Sequence, residues 1–168
     1  KGINIVTWNA NKKLPKSANG KTFTFGGFTA PKVPAGMYTA ILKKGKDTFE
    51  HTFELVYDDA NNLSMEDRKI KNDITTQLYD MTQDLAYLIY EMDEIIQSAE
   101  SNGNTKTAEK LNSLKETLVI TTGDNYVGSA EPQLREKMAK LYSKVAASYD
   151  KPTASEMENL KVISSRFE

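Results

Sequence analysis

Hydrophobic and polar positions repeat with one period through about residue 58 and with another from Asn61 onward. In the first part the spacing is that of strands. INIVTW at 3–8 is β-branched and aromatic, and KTFTF at 21–25 alternates polar and aromatic residues, so both predict strands. Between them NANKKLPKSANG reads as a polar loop punctuated by Pro15 and Gly20, and GGFTAPKVPAG at 26–36 reads as irregular. MYTAILK then turns at Lys44, Gly45 and Lys46 into DTFEHTFELVY. There Phe49, His51, Phe53, Leu55 and Tyr57 share one face, and Thr48, Glu50, Thr52 and Glu54 share the other. That pattern predicts a sheet with one covered side.

In the second part the period is 3.6. Ile70, Ile74, Leu78, Met81, Leu85, Leu88, Met92, Ile95 and Ala99 form the expected buried stripe of a long first helix. Ser64 with Asp67 marks its start, and Asn102-Gly103 marks its stop. A second helix is expected over about 105–121, with Ala108, Leu111, Leu114 and Leu118 inward. A third carries Leu134, Met138, Leu141, Val145 and Tyr149. A fourth begins at the capping pattern of Thr153 and Glu156, and buries Met157, Leu160, Ile163 or Val162, and Phe167. Short connections favour an antiparallel bundle of four helices. The first helix exceeds the others in length, so its excess is expected to cover the β-part, bind something else or stand in solvent. The hairpin face of Phe49, Phe53 and Leu55 is expected to lie on this helix around Leu78 to Leu88.

The fold class read this way is α+β, a partial antiparallel Ig-like β-sandwich over 1–59 followed by a helical bundle over 60–168. Composition agrees with a globular chain: 168 residues, 39% hydrophobic and 27% charged. A formal net charge of -1 gives no basic excess for nucleic acid or an anionic membrane, and no apolar run reaches a membrane span. The absence of cysteine excludes thiolate chemistry, and the single histidine, His51, would have to carry any imidazole site. The chain opens on Lys1 and ends in an uncapped helix, so further sequence is expected on both sides.

Candidate chemistry is sparse. His51, between Phe49 and Phe53 on its face, reads as a structural or edge residue. Asp58, Asp59, Glu66 and Asp67 cluster at the strand-to-helix junction but lack calcium-loop spacing, and Asp67 is explained by capping. TTGDNYVGSAEP at 121–132 has no phosphate-loop pattern. Tyr79, Tyr87, Tyr90 and Glu91 widen the apolar face of the long helix. No catalytic, cofactor-binding or metal-ligating residue is assigned. Trp8 reads first as a small-domain core residue, and Trp8, Phe28 and Tyr126 remain as the alternative aromatic contacts for a ligand or partner.

A resemblance joins these parts. Gly2-Ile3-Asn4-Ile5-Val6-Thr7-Trp8 is similar to the G-x-N-x-V-x-W-D strand of FlgD-like Ig-type modules, with Asn9 in place of the aspartate. Val33-Pro34-Ala35-Gly36-Met37-Tyr38-Thr39 resembles their P-x-G-x-Y-T strand opening. With the long helix, the helical pair and Lys151-Pro152-Thr153-Ala154-Ser155-Glu156 after it, nearly the whole chain resembles the C-terminal region of bacterial sortilin-like, BNR-repeat proteins. These are exported and carry a glycosyl-hydrolase label. The resemblance implies an exported location, a β-propeller upstream that holds any substrate cleft, and a sandwich whose first strands precede Lys1. It transfers no catalytic residue. It leads to the expectation of a non-catalytic accessory module that braces the propeller, with an open strand edge for a dimer. A carbohydrate- or protein-binding module is the alternative.

Overall fold

The computed structural model describes residues 2–21, 30–58, 60, 62–122 and 130–167. Among these residues the fold is α+β: a two-stranded antiparallel sheet, then four helices. Strands β1 (Gly36–Lys44) and β2 (Asp47–Leu55) pair in register from Gly36↔Leu55 to Lys44↔Asp47. A two-residue loop joins them, with Gly45 at φ 62° and Lys46 at negative φ. That combination is the mirror-image turn that follows strand twist, and it needs a glycine first.

Helix α1 (Met65–Ser101) starts at the expected cap, where the Ser64 hydroxyl accepts from the Asp67 N–H at 3.0 Å. It ends at Asn102, with Gly103 at φ 72°. Helices α2 (Thr105–Leu118), α3 (Leu134–Ala147) and α4 (Ala154–Phe167) follow. Lys115 of α2 reaches back to Asp93, so α2 runs antiparallel to the last third of α1. Lys71 donates to the Ser148 carbonyl, which sets α3 antiparallel to the first half. Helix α4 packs on α3 and meets α1 where Gln77 donates to the Ser164 hydroxyl at 3.0 Å.

These contacts account for the length of α1. Its 37 residues span about 55 Å, and the 14 residues each of α2 and α3 span about 21 Å. The long helix serves α3 and α4 first and α2 afterwards. Its buried stripe shifts with the partner. Ile74, Leu78, Met81, Leu85 and Met92 are buried as expected, but Ile89 and Ile96 take the places expected for Leu88 and Ile95, which are exposed. A straight helix drifts against a seven-residue repeat, and the change of partner rotates the seam further. Ile70, Leu114 and Tyr149 are likewise exposed, and Tyr142 is fully buried instead. In α4 it is Ile163, not Val162 or Met157, that enters the core.

Two expectations for the β-part are corrected. Residues 3–8 form no strand: Ile3, Ile5 and Val6 are 94%, 85% and 91% exposed. A β-branched run becomes a strand only beside another strand that satisfies its backbone groups, and none lies there among the described residues. The run at 21–25 falls almost wholly outside them. The hairpin also does not pack on α1 around Leu78 to Leu88. That surface is already filled by Met138, Tyr142, Val145 and Ile163, and by Ala18 from residues 9–20.

Those twelve residues, read as a polar loop, form a strap across the bundle. Pro15 and Ala18 are buried, and the Lys21 N–H donates to the Ile120 carbonyl at 2.9 Å. Lys12 sits 6.0 Å above the Tyr79 ring. Where the strap meets the approach to the hairpin, Lys12 N–H bonds Pro31 O and Val33 N–H bonds Ala10 O, each at 2.8 Å.

Candidate functional site

Two places collect unusual side chains: the base of the hairpin and the joint where the chain enters α1. At the base, residue alternation puts Tyr38 opposite Phe53 on one face. Their rings stack at 6.3 Å between centroids, and Trp8 covers them, 5.7 Å from Tyr38 and 6.2 Å from Phe53. The Trp8 Nε1–H donates to the Asn11 carbonyl at 3.0 Å, which ties the indole to the strap. Such aromatic contacts contribute roughly 0.5–1.5 kcal/mol each. Farther along the same face Leu42 and Phe49 pair across the strands and both remain exposed. His51, opposite Ala40, lies exposed between these two regions.

At the joint, Tyr57 leaves the hairpin and packs under the Arg68 guanidinium, 4.2 Å from its centroid. Arg68 Nε donates to the Leu63 carbonyl at 2.9 Å. One turn on, Lys71 donates to Ser148 O at the end of α3, where the exposed carbonyls favour a cation. Burial, reinforced by the Arg68 charge, holds the Lys71 ammonium below the usual lysine range. Pro31, Val33 and Pro34 from the approach to the hairpin close a cleft of about 160 Å³ over these cations. Ligand pockets usually begin near 300 Å³, so this cleft reads first as a joint that locks three segments together.

The acids expected near this junction are used locally. Asp58 accepts from the Ala60 N–H at 2.9 Å and Asp67 accepts from the Ser64 hydroxyl at 2.8 Å. Glu66 is exposed, and Asp59 lies outside the described residues. Among the described residues no three histidine or acidic side chains come together as a metal site. Phe28 and Tyr126 also lie outside them, as does most of 121–132, so of the three aromatic contacts only Trp8 has a described position.

Two buried charged groups escaped the sequence reading. Glu156, 5% exposed, accepts from Thr153 N–H at 2.8 Å and Thr153 Oγ1–H at 2.9 Å, and pairs with Lys144 at 3.2 Å. The Thr153 backbone bond above all, together with its hydroxyl and Lys144, holds this carboxyl below its usual value of 4.5 against the opposing effect of burial. The capping pattern foretold the bond but not the burial. Arg135 is buried beside Gly20 and pairs with Glu136 at 2.9 Å. The signal for it was in the strap: a long loop with a proline, an alanine and a glycine at its packed points holds its course only by docking on something.

Compared with protein-family models, with curated proteins and with solved structures, the chain matches none.

Proposed function

We propose that the chain is a non-catalytic C-terminal accessory module of an exported, multidomain propeller protein with a glycosyl-hydrolase-like parent. The bundle and its strap form the anchor, and the hairpin with residues 2–8 forms the part that engages the upstream domain. The reading rests on the exposed apolar positions of an otherwise unfinished sheet. Ile3, Ile5, Val6, Leu42 and Phe49 are all exposed, the last two on the hairpin and the first three in the run that ends at Trp8 on its base. A two-stranded sheet is marginal in water, and it gains stability when a third strand or a second layer covers a face. Upstream strands of an Ig-like module would do both here, pairing with residues 3–8 and covering Leu42 and Phe49. An open edge left by that arrangement would be a site for dimer formation.

Extending the chain with its native upstream sequence tests this directly. Hydrogen exchange of the β1 and β2 amides, and of residues 3–8, should slow by roughly tenfold or more in the longer protein. Trp8, the single tryptophan, should shift its emission to shorter wavelength. Identical exchange and emission in the two proteins would overturn the proposal.

A further inference from the structure

Two charged, amphipathic surfaces on the bundle are left open by the described residues, and they complement each other. The first is a groove of about 540 Å³ between α3 and α4, floored by Leu141, Val162 and Ile163. Lys137, Lys140 and Arg166 stand on its rim, and among the described residues none of them has an ion-pair partner. The second is the outer face of α1. Tyr87, Leu88 and Ile95 are exposed there, the last two because the buried seam passes to Ile89 and Ile96. Asp80, Asp84, Glu91 and Glu94 surround them, again with no ion pair among the described residues. After Lys71 no lysine or arginine occurs in α1 at all.

We propose that the chain self-associates head to tail, with the outer face of α1 in one copy seated in the α3–α4 groove of the next. The dimensions agree: residues 84–95 span about 17 Å of helix, and residues 156–166 line about 15 Å of groove. Leu88 and Ile95 lie on the apolar floor, while the flanking acids meet Lys137, Lys140 and Arg166. An apolar floor with a basic rim fits an acidic helix better than a phosphate backbone, which offers nothing to Val162. Within one copy the two surfaces cannot meet, because α1 already packs its other side on α3. The surfaces differ from each other, so the contact is heterologous and assembly grows with concentration. Neither surface involves the sheet, so this contact stands or falls separately from the upstream domain.

Sedimentation velocity over a concentration series is the test. The average mass of the wild-type chain should rise with concentration and fall when salt is raised, since the rim pairs are screened. Lys140→Glu with Arg166→Glu, and separately Asp84→Lys with Glu91→Lys, should each weaken association by about tenfold or more. An equal mixture of the two variants should associate again, because the unaltered α1 face of one then meets the unaltered groove of the other, and the two reversed surfaces also match. If the charge-reversed groove does not fold, judged by its helical circular dichroism, Lys140→Gln with Arg166→Gln gives the same weakening. A wild-type chain that stays monomeric to about 1 mM overturns the proposal, even if it binds an added acidic peptide or nucleic acid. So does a mixture that remains monomeric. Variants that associate as strongly as wild type overturn it too.

Discussion

Helix α1 buries Leu78, Leu85 and Ile89 against α3 and its neighbours, whereas strands β1 and β2 leave Ile41, Leu42 and Phe49 in solvent. Both segments are amphipathic by sequence. The difference lies in what surrounds them. The helix has α2, α3, α4 and the strap along its length, and each fully buried aliphatic side chain contributes about 1.5–3 kcal/mol. The hairpin has Trp8 at one end of one face, and its flanking segments reach the strap by two backbone bonds and α1 through Tyr57 under Arg68. It therefore depends on the bundle for its anchorage, while the core of the bundle contains no residue of either strand.

That asymmetry can be broken first at Leu85, which is 1% exposed. Leu85→Asp places an unpaired charge in the centre of the core and should cost more than about 4 kcal/mol. Far-ultraviolet circular dichroism follows the helices, and Trp8 fluorescence follows the hairpin base. Both signals should be lost together in Leu85→Asp, because the strap loses its seat. Phe53→Ser should disturb the Trp8 signal alone and leave the helical melting transition in place. Should Leu85→Asp keep its native helical signal, or Phe53→Ser melt the helices, the one-way dependence is wrong.

The helices were legible because caps and period are local. Ser64, Asn102-Gly103 and Thr153 announce their ends with no knowledge of the partner. The hairpin was legible for the same reason, through Gly45 and strict alternation. What the sequence hid was contact at a distance. Leu88 and Ile89 are equally apolar, and only the positions of α2 and α3 decide which turns inward. INIVTW reads as a strand in any context, yet here no strand among the described residues meets it. The strap hid best of all. Lysine and asparagine dominate its composition, while its packing rests on Pro15, Ala18 and Gly20, which carry little hydrophobic signal. Of the candidate site, Trp8 was identified by type, but its partners Tyr38, Phe53 and Asn11 follow from register and from the strap.

The strap offers the next test of which region it belongs to. A Cβ on Gly20 would lie 2.2 Å from Arg135 Nη1 and 3.1 Å from its Cζ. Arg135 is buried and paired with Glu136, so its displacement is not free. Gly20→Ala should cost about 1–3 kcal/mol, as overpacking does, and lower the helical melting temperature by roughly 3–10 °C. Gly2→Ala, whose Cβ would meet nothing within 4 Å, is the matched control. Equal melting temperatures for the two variants would move the strap out of the bundle and assign it to the hairpin.

The smallest effect concerns pH and falls on the bundle alone. Glu156 is bonded as a carboxylate in the folded chain, so its folded pKa lies below the unfolded value of 4.5. The unfolded chain then binds more protons in that interval, and stability falls as pH drops through it. Above 4.5 the contribution is fully present; below the folded value it is gone. Glu156→Gln keeps the shape and removes the charge, so it should cost about 1 kcal/mol at neutral pH, typical of a helix cap. It should also flatten the acid side of the helical stability curve near and below pH 4.5. The two curves should converge as pH falls, because protonation does to the wild type what the substitution does permanently. Parallel curves, separated by the same amount at pH 7 and pH 3, would show that the Thr153 and Lys144 contacts act without regard to the carboxylate charge.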